Sequence, residues 1–155
     1  MLTVGLTGSL ATGKTTVAGI FSKLGARIID ADRINHQLMS RGGSCFRAVL
    51  HSFGQGVLTK GNIDRKKLAS IVFDSPRELK KLCRIVHPAV ISEIKKRISL
   101  YKKNKHNQII IIDAPLLIEA GLHRLVDILI VIKANRENQI QRVIRRMKIE
   151  RPEAI

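Results

Sequence analysis

Gly8-Ser9-Leu10-Ala11-Thr12-Gly13-Lys14-Thr15 fits the pattern G-x-x-x-x-G-K-[ST] at every fixed position. The residues before it, Leu2 to Leu6, form an apolar run of strand type. Those after it place Val17, Ile20, Phe21 and Leu24 at i, i+3, i+4 and i+7, the apolar stripe of an amphipathic helix. The motif therefore stands between a buried strand and a helix N-terminus, where its mechanism requires it. The glycines let the backbone fold round a phosphate, and successive N–H groups with the helix dipole supply positive potential. Lys14 has the reach for β- and γ-phosphates, and the Thr15 hydroxyl suits a Mg²⁺ shell. Gly8, Ala11, Thr12, Gly13, Lys14, Thr15 and Thr16 are the expected contacts of a bound nucleoside triphosphate.

The chain of 155 residues has the size of one domain, and its 45% hydrophobic content allows a sizeable core without disulfides. Lys and Arg number 28 against 12 acidic residues, a net charge of +16. Such an excess suits nucleotides, diphosphate-bearing cofactors and nucleic acids, and it equally suits a charged, solvated surface. With no Trp and 3% aromatic residues, base-stacking platforms are poorly supplied, which argues against nucleic acid as partner. Cys45 and Cys83 belong to no C-x-x-C pair and read as reduced thiols. The N-terminus enters the phosphate-loop strand directly, leaving no room for a signal peptide, and no apolar run approaches the about 20 residues of a membrane helix. The expected location is the cytoplasm.

Further along, Gly25 suits a helix C-cap, Arg27–Ile29 a short strand, and Asp30 or Asp32 the N-cap of a helix carrying Ile34 and Leu38. A second helix is expected over Cys45–Phe53, then a glycine-rich connection, then a short helix after Ile63-Asp64-Arg65. Ser75-Pro76 starts a long helical region, which His87-Pro88 is expected to kink or break. Ile109–Ile112 closing on Asp113 has the hydrophobic-run-then-acid pattern of a Walker B element. Asp127–Lys133 reads as another buried strand, and Glu137–Met147 as a helix with Ile140, Val143, Ile144 and Met147 on one side. Strands alternating with helices indicate an α/β fold with a parallel sheet covered on both faces. The helical block 31–105 is too long for one crossover and is expected to be an acceptor-binding subdomain.

These landmarks, in this order, resemble dephospho-CoA kinase: the phosphate loop, Ile29-Asp30-Ala31-Asp32, Phe53-Gly54 with Ile63-Asp64-Arg65, His87-Pro88, and Asp113-Ala114-Pro115-Leu116-Leu117-Ile118-Glu119. Gln139 and Arg142 look like the start of that family's Gln-x-x-Arg lid segment. The resemblance implies a single phosphate-loop kinase domain over 1–155, of phosphate-loop nucleoside-triphosphate hydrolase type. It also implies a partial lid over about 139–155, the family's C-terminal strand and helix being absent. ATP and Mg²⁺ would be required, and the ribose 3′-hydroxyl of dephospho-CoA would be the acceptor. Where the family has Gly-Gly-Ile-Gly-Ser-Gly-Lys-Ser-Thr, this chain reads Gly8-Ser9-Leu10-Ala11-Thr12-Gly13-Lys14-Thr15-Thr16, keeping the fixed glycines and the lysine.

Asp32 is the expected catalytic carboxylate, orienting the acceptor hydroxyl and taking its proton; its other reading is a helix cap. Lys14 neutralises phosphate charge in the transition state. Arg142, Arg145 and Arg146 can converge on one anion or form a solvated helix face; Arg142 is the expected ATP contact and catalytic arginine, with Arg146 second. Arg65 and His87 are expected on the dephospho-CoA, although His87 equally suits a cap for a helix starting at Pro88. Asp113 suits Mg²⁺ through water, or a turn cap. Two alternatives remain open: a small phosphate-loop kinase with a different acceptor, and a non-catalytic basic module that binds nucleotide or nucleic acid.

Overall fold

The computed structural model describes residues 1–103 and 109–147, the last two by backbone only. Contacts divide it into two units, one made of Met1–Asp30 with the described residues from Arg97 on, the other of Ala31–Lys96.

In the first unit β1 (Leu2–Gly8) leads into α1 (Lys14–Lys23), followed by β2 (Arg27–Asp30). The second unit carries α2 (Ala31–Met39), α3 (Phe46–Phe53), β3 (Leu58–Thr59), β4 (Asn62–Ile63) and α4 (Arg65–Phe73). Helix α5 (Pro76–Lys103) runs on into the first unit, which closes with β5 (Ile109–Asp113), β6 (Ile128–Ile132) and α6 (Arg136–Met147). Four strands form a parallel sheet in the order β2-β5-β1-β6. Register sets Leu2 beside Ile109, Val4 beside Ile128 and Asp30 beside Asp113.

Alternation along β1 sorts its residues between the two faces. Val4 and Leu6 join Ala18, Ala26 and Ile111 in a buried cluster, with Val17, Phe21, Ile130 and Ile132 packed on it. The inward face of α1 is thus Val17, Ala18 and Phe21. Ile20 and Leu24 of the expected stripe are exposed, at 53% and 78%. The packed face is narrower than the stripe: Ile20 lies within the helix but off that face, and Leu24 is the C-cap, just before Gly25 (φ +91°) turns the chain. Gly25 N–H bonds to Ser22 and Ala26 N–H to Phe21, a Schellman closure that turns the chain back to the sheet. On the other face Gly5 leaves space for Leu117, whose Cδ1 would stand 2.9 Å from an added Cβ. β6 departs from the expectation of a buried strand: among the described residues it borders the sheet, and Ile128, Leu129 and Val131 are 47%, 39% and 49% exposed. An unbroken apolar run specifies a strand without saying that neighbours flank it on both sides.

In the second unit β3 and β4 pair as an antiparallel hairpin within the connection that the sequence left without structure. Lys60 and Gly61 turn it with positive φ. Asp64 caps α4 by accepting from the N–H groups of Lys66 and Lys67, and Ser75 Oγ accepts from Glu78 N–H at the start of α5. Helix α5 passes through Pro88 without a break, so His87 lies inside it, half-buried, and caps nothing. Proline has no N–H to give four residues back. Val86, Val90 and Ile94, buried on either side of Pro88, anchor the helix across the missing bond.

Candidate phosphate-binding site

The loop between β1 and α1 is shaped by close approaches that only glycine permits. A Cβ on Gly8 would stand 2.6 Å from the Ile132 carbonyl oxygen and 2.9 Å from Thr12 Oγ1. Gly13 caps α1 in the left-handed region, φ 100°. Thr12 is buried, and its hydroxyl donates to the Ser9 carbonyl at 2.9 Å, closing the loop on itself. Ala11 also takes a left-handed backbone, φ 59°, although it carries a Cβ. No side chain caps α1, and its first turn (Lys14, Thr15, Thr16) holds no acidic residue, so the leading amides suit an anion.

Lys14 reaches from α1 to Asp113 at the end of β5, where its ammonium pairs with Oδ1; the two side chains are 15% and 10% exposed. Asp113 is held in place by its neighbours. Ala114 N–H bonds to the Leu6 carbonyl, and the Thr7 hydroxyl donates to the Pro115 carbonyl at 2.8 Å. The strand ends thus bring a lysine, a carboxylate and the loop together. Thr15 on α1 and Asp113 at the end of β5 carry the hydroxyl and carboxylate oxygens that Mg²⁺ accepts beside water and phosphate. Among the described residues no three His, Cys, Asp or Glu side chains form a cluster able to hold a metal by themselves.

Helix α6 supplies the other side of the loop. Arg142 Nη1 donates to the Ala11 carbonyl at 3.0 Å and stands 3.5 Å from the position of a Cβ on Gly13. One turn earlier, Gln139 Oε1 accepts from the Ser9 hydroxyl at 3.3 Å. Arg145 is exposed, and the side chain of Arg146 lies outside the described residues, as does the expected lid beyond 147. Gln139, expected with Arg142 as the start of a lid segment, is not among the expected nucleotide contacts, and the structure places it on the phosphate loop through Ser9.

Asp32, Arg65 and His87 belong to the second unit. Asp32 lies in the first turn of α2, past the cap position; Arg65 is the first residue of α4. Arg65 lines a cavity of about 160 Å³ with His36, Met39, Ser40, Asn62 and Ile63. Met39 and Ile63 give the lining an apolar part and Arg65 supplies a cation, so the cavity suits an anionic group on a partly apolar ligand.

A family model described as dephospho-CoA kinase matches residues 2–155. The chain is 42% identical over 147 residues to a dephospho-CoA kinase of Aquifex aeolicus, covering 94% of this chain and 74% of that one. It is 40% identical over 153 residues to one from Carboxydothermus hydrogenoformans, covering 98% and 74%. Among solved structures it resembles TT1252 from Thermus thermophilus, with a TM-score of 0.84, 27% identity and coverage of 99% and 76%. Dephospho-CoA kinase from Campylobacter jejuni superposes with a TM-score of 0.66 at 30% identity, covering 98% and 76%.

Proposed function

The chain belongs to the dephospho-CoA kinase family, and from that premise we propose how its residues divide the work. It is an ATP-dependent kinase that phosphorylates the ribose 3′-hydroxyl of dephospho-CoA, giving CoA and ADP in the last step of coenzyme A synthesis. The observation that carries this assignment into the structure is the loop Gly8–Thr15, with Lys14 paired to Asp113 and Arg142 bonded to Ala11.

The loop amides and the first turn of α1 hold the ATP phosphates, with Ala11, Thr12, Lys14, Thr15 and Thr16 around them. Lys14 and Arg142 stabilise the negative charge that shifts as the acceptor oxygen bonds to the γ-phosphorus and the bond to the β-phosphate breaks. Arg142 needs one guanidinium N–H for Ala11, which leaves others for phosphate. Arg146, one helical turn beyond Arg142, assists it. Asp32 takes the proton of the acceptor hydroxyl. Its support is its carboxylate and its place in the first turn of the helix that follows β2. Arg65 and His87 bind the dephospho-CoA; the cavity beside Arg65 supports an anionic contact there. Thr15 and Asp113 would hold Mg²⁺, Asp113 through water, and the bound ion would neutralise phosphate charge.

ATP and dephospho-CoA are water-soluble, and Cys45 and Cys83 are free thiols, which supports a cytoplasmic place of action. No described helix is long and apolar enough to cross a membrane.

The test offers the purified chain Mg·ATP with dephospho-CoA, AMP, gluconate or shikimate. CoA formation is expected; transfer to another acceptor in its place would reject the assignment. Asp32→Asn is expected to lower kcat by about 10²–10⁴-fold with little change in the KM for ATP. An unchanged kcat would remove Asp32 from the chemistry.

A further inference from the structure

Ser9 occupies a variable position of the loop, yet the structure fixes it from two sides. Its carbonyl accepts from Thr12, through the side-chain hydroxyl at 2.9 Å and the backbone N–H at 3.4 Å. Its own hydroxyl donates to Gln139 Oε1 at 3.3 Å. The remaining end of the Gln139 carboxamide, Nε2, donates to the Ala134 carbonyl at 2.7 Å, in the connection between β6 and α6. A carbonyl can only accept, so Nε2 must face Ala134, and Oε1 is left for the hydroxyl. The amide is therefore oriented by chemistry, and both its ends are used.

Gln139 and Arg142 stand three residues apart on α6, hence on one face. They bond to Ser9 and Ala11, two residues apart in the loop. Ordering loop residues opposes binding unless something else has already ordered them. We propose that Gln139 is a positioning residue for ATP binding: its carboxamide ties Ser9 to the start of α6 and holds the phosphate loop in its cradling shape. Gln139 need not touch the nucleotide to do this. The inference rests on reading Gly8–Thr15 as the ATP loop.

The test is a double-mutant cycle with Gln139→Met, which keeps the length and removes both hydrogen-bonding ends, and Ser9→Ala. ATP affinity, the KM for each substrate and thermal stability are measured for all four proteins. Each single variant is expected to weaken ATP binding about three- to tenfold, as the loss of one hydrogen bond would. The KM for dephospho-CoA should stay within about twofold, and the double variant should bind ATP no worse than the weaker single. Effects that multiply, unchanged ATP affinity, or equal losses for both substrates with a lowered melting temperature would each overturn the role. Should Gln139→Met fail to fold, Ser9→Ala alone decides from the loop side, by losing ATP affinity or keeping it. Lys14→Ala separates the premise from the inference. If it too leaves ATP binding intact, the loop reading fails; if it abolishes binding while Gln139→Met does nothing, only the positioning role fails.

Discussion

Ala11 holds a backbone conformation that its Cβ resists. The left-handed region costs an ordinary residue about 1–2 kcal/mol, whereas glycine enters it freely but loses about 0.5–1 kcal/mol more in chain entropy. Arg142 bonds to the carbonyl of this same residue and helps to keep the peptide in place. Ala11→Gly is therefore expected to raise the unfolding free energy by about 0.5–1 kcal/mol. Urea denaturation would measure it, and a loss of stability would contradict the strain argument. At this scale the sequence was most legible where a motif fixes the residue type. The need for glycine at position 8 is explained by a carbonyl oxygen 2.6 Å from where a Cβ would lie. The pairing of Lys14 with Asp113 was not legible, because the partners are 99 positions apart and each had a separate role on its own.

Among the elements, α4 owes its start to one carboxylate. The Thr59 hydroxyl bond, then the Lys67 N–H, holds Asp64 below its usual carboxylate range. Because the folded value lies below the unfolded one, this stabilisation is complete above about pH 4 and is lost as pH falls through the folded value. The amide NMR shifts of Lys66 and Lys67 should therefore titrate below about pH 4 and stop doing so in Asp64→Asn. Shifts that are flat through that range would contradict the cap. β6 raises a different issue, since exposed apolar sheet borders invite strand pairing with other molecules. Val131→Lys, at a residue 49% exposed, is expected to reduce self-association, with sedimentation velocity at rising concentration as the measurement. Equal association by both proteins would clear the strand of that liability. Helix and strand identities followed from periodicity and caps. At Pro88 local chain chemistry favours a kink or a break, and with buried residues on both sides the helix continues without a break. The two-residue strands β3 and β4 were too short for any period to show.

For the whole molecule, 28 basic residues against 12 acidic ones create a positive field around a protein whose substrates carry several phosphates. Such a field draws anions in and is screened by salt. The kcat/KM for ATP is expected to fall several-fold between about 0.02 and 0.3 M salt, with a smaller change in kcat. A value that does not move would assign the charge to solubility alone. The alternation of strands and helices made the α/β class legible, and the long helical block pointed to an insertion. Strand order was not legible, because it depends on contacts between segments far apart in the chain. That order has a consequence for how the protein is made. β1 pairs with β5 and β6, so Leu2 meets Ile109, and Val4 meets Ile128. On a ribosome the phosphate loop leaves the exit tunnel early, then waits for most of the chain before its strand has a neighbour. The hairpin, caps and cavity of Ala31–Lys96 involve partners within that stretch and face no such delay. A formed phosphate loop thus waits for β5 and β6, although its own residues are made with β1 and α1.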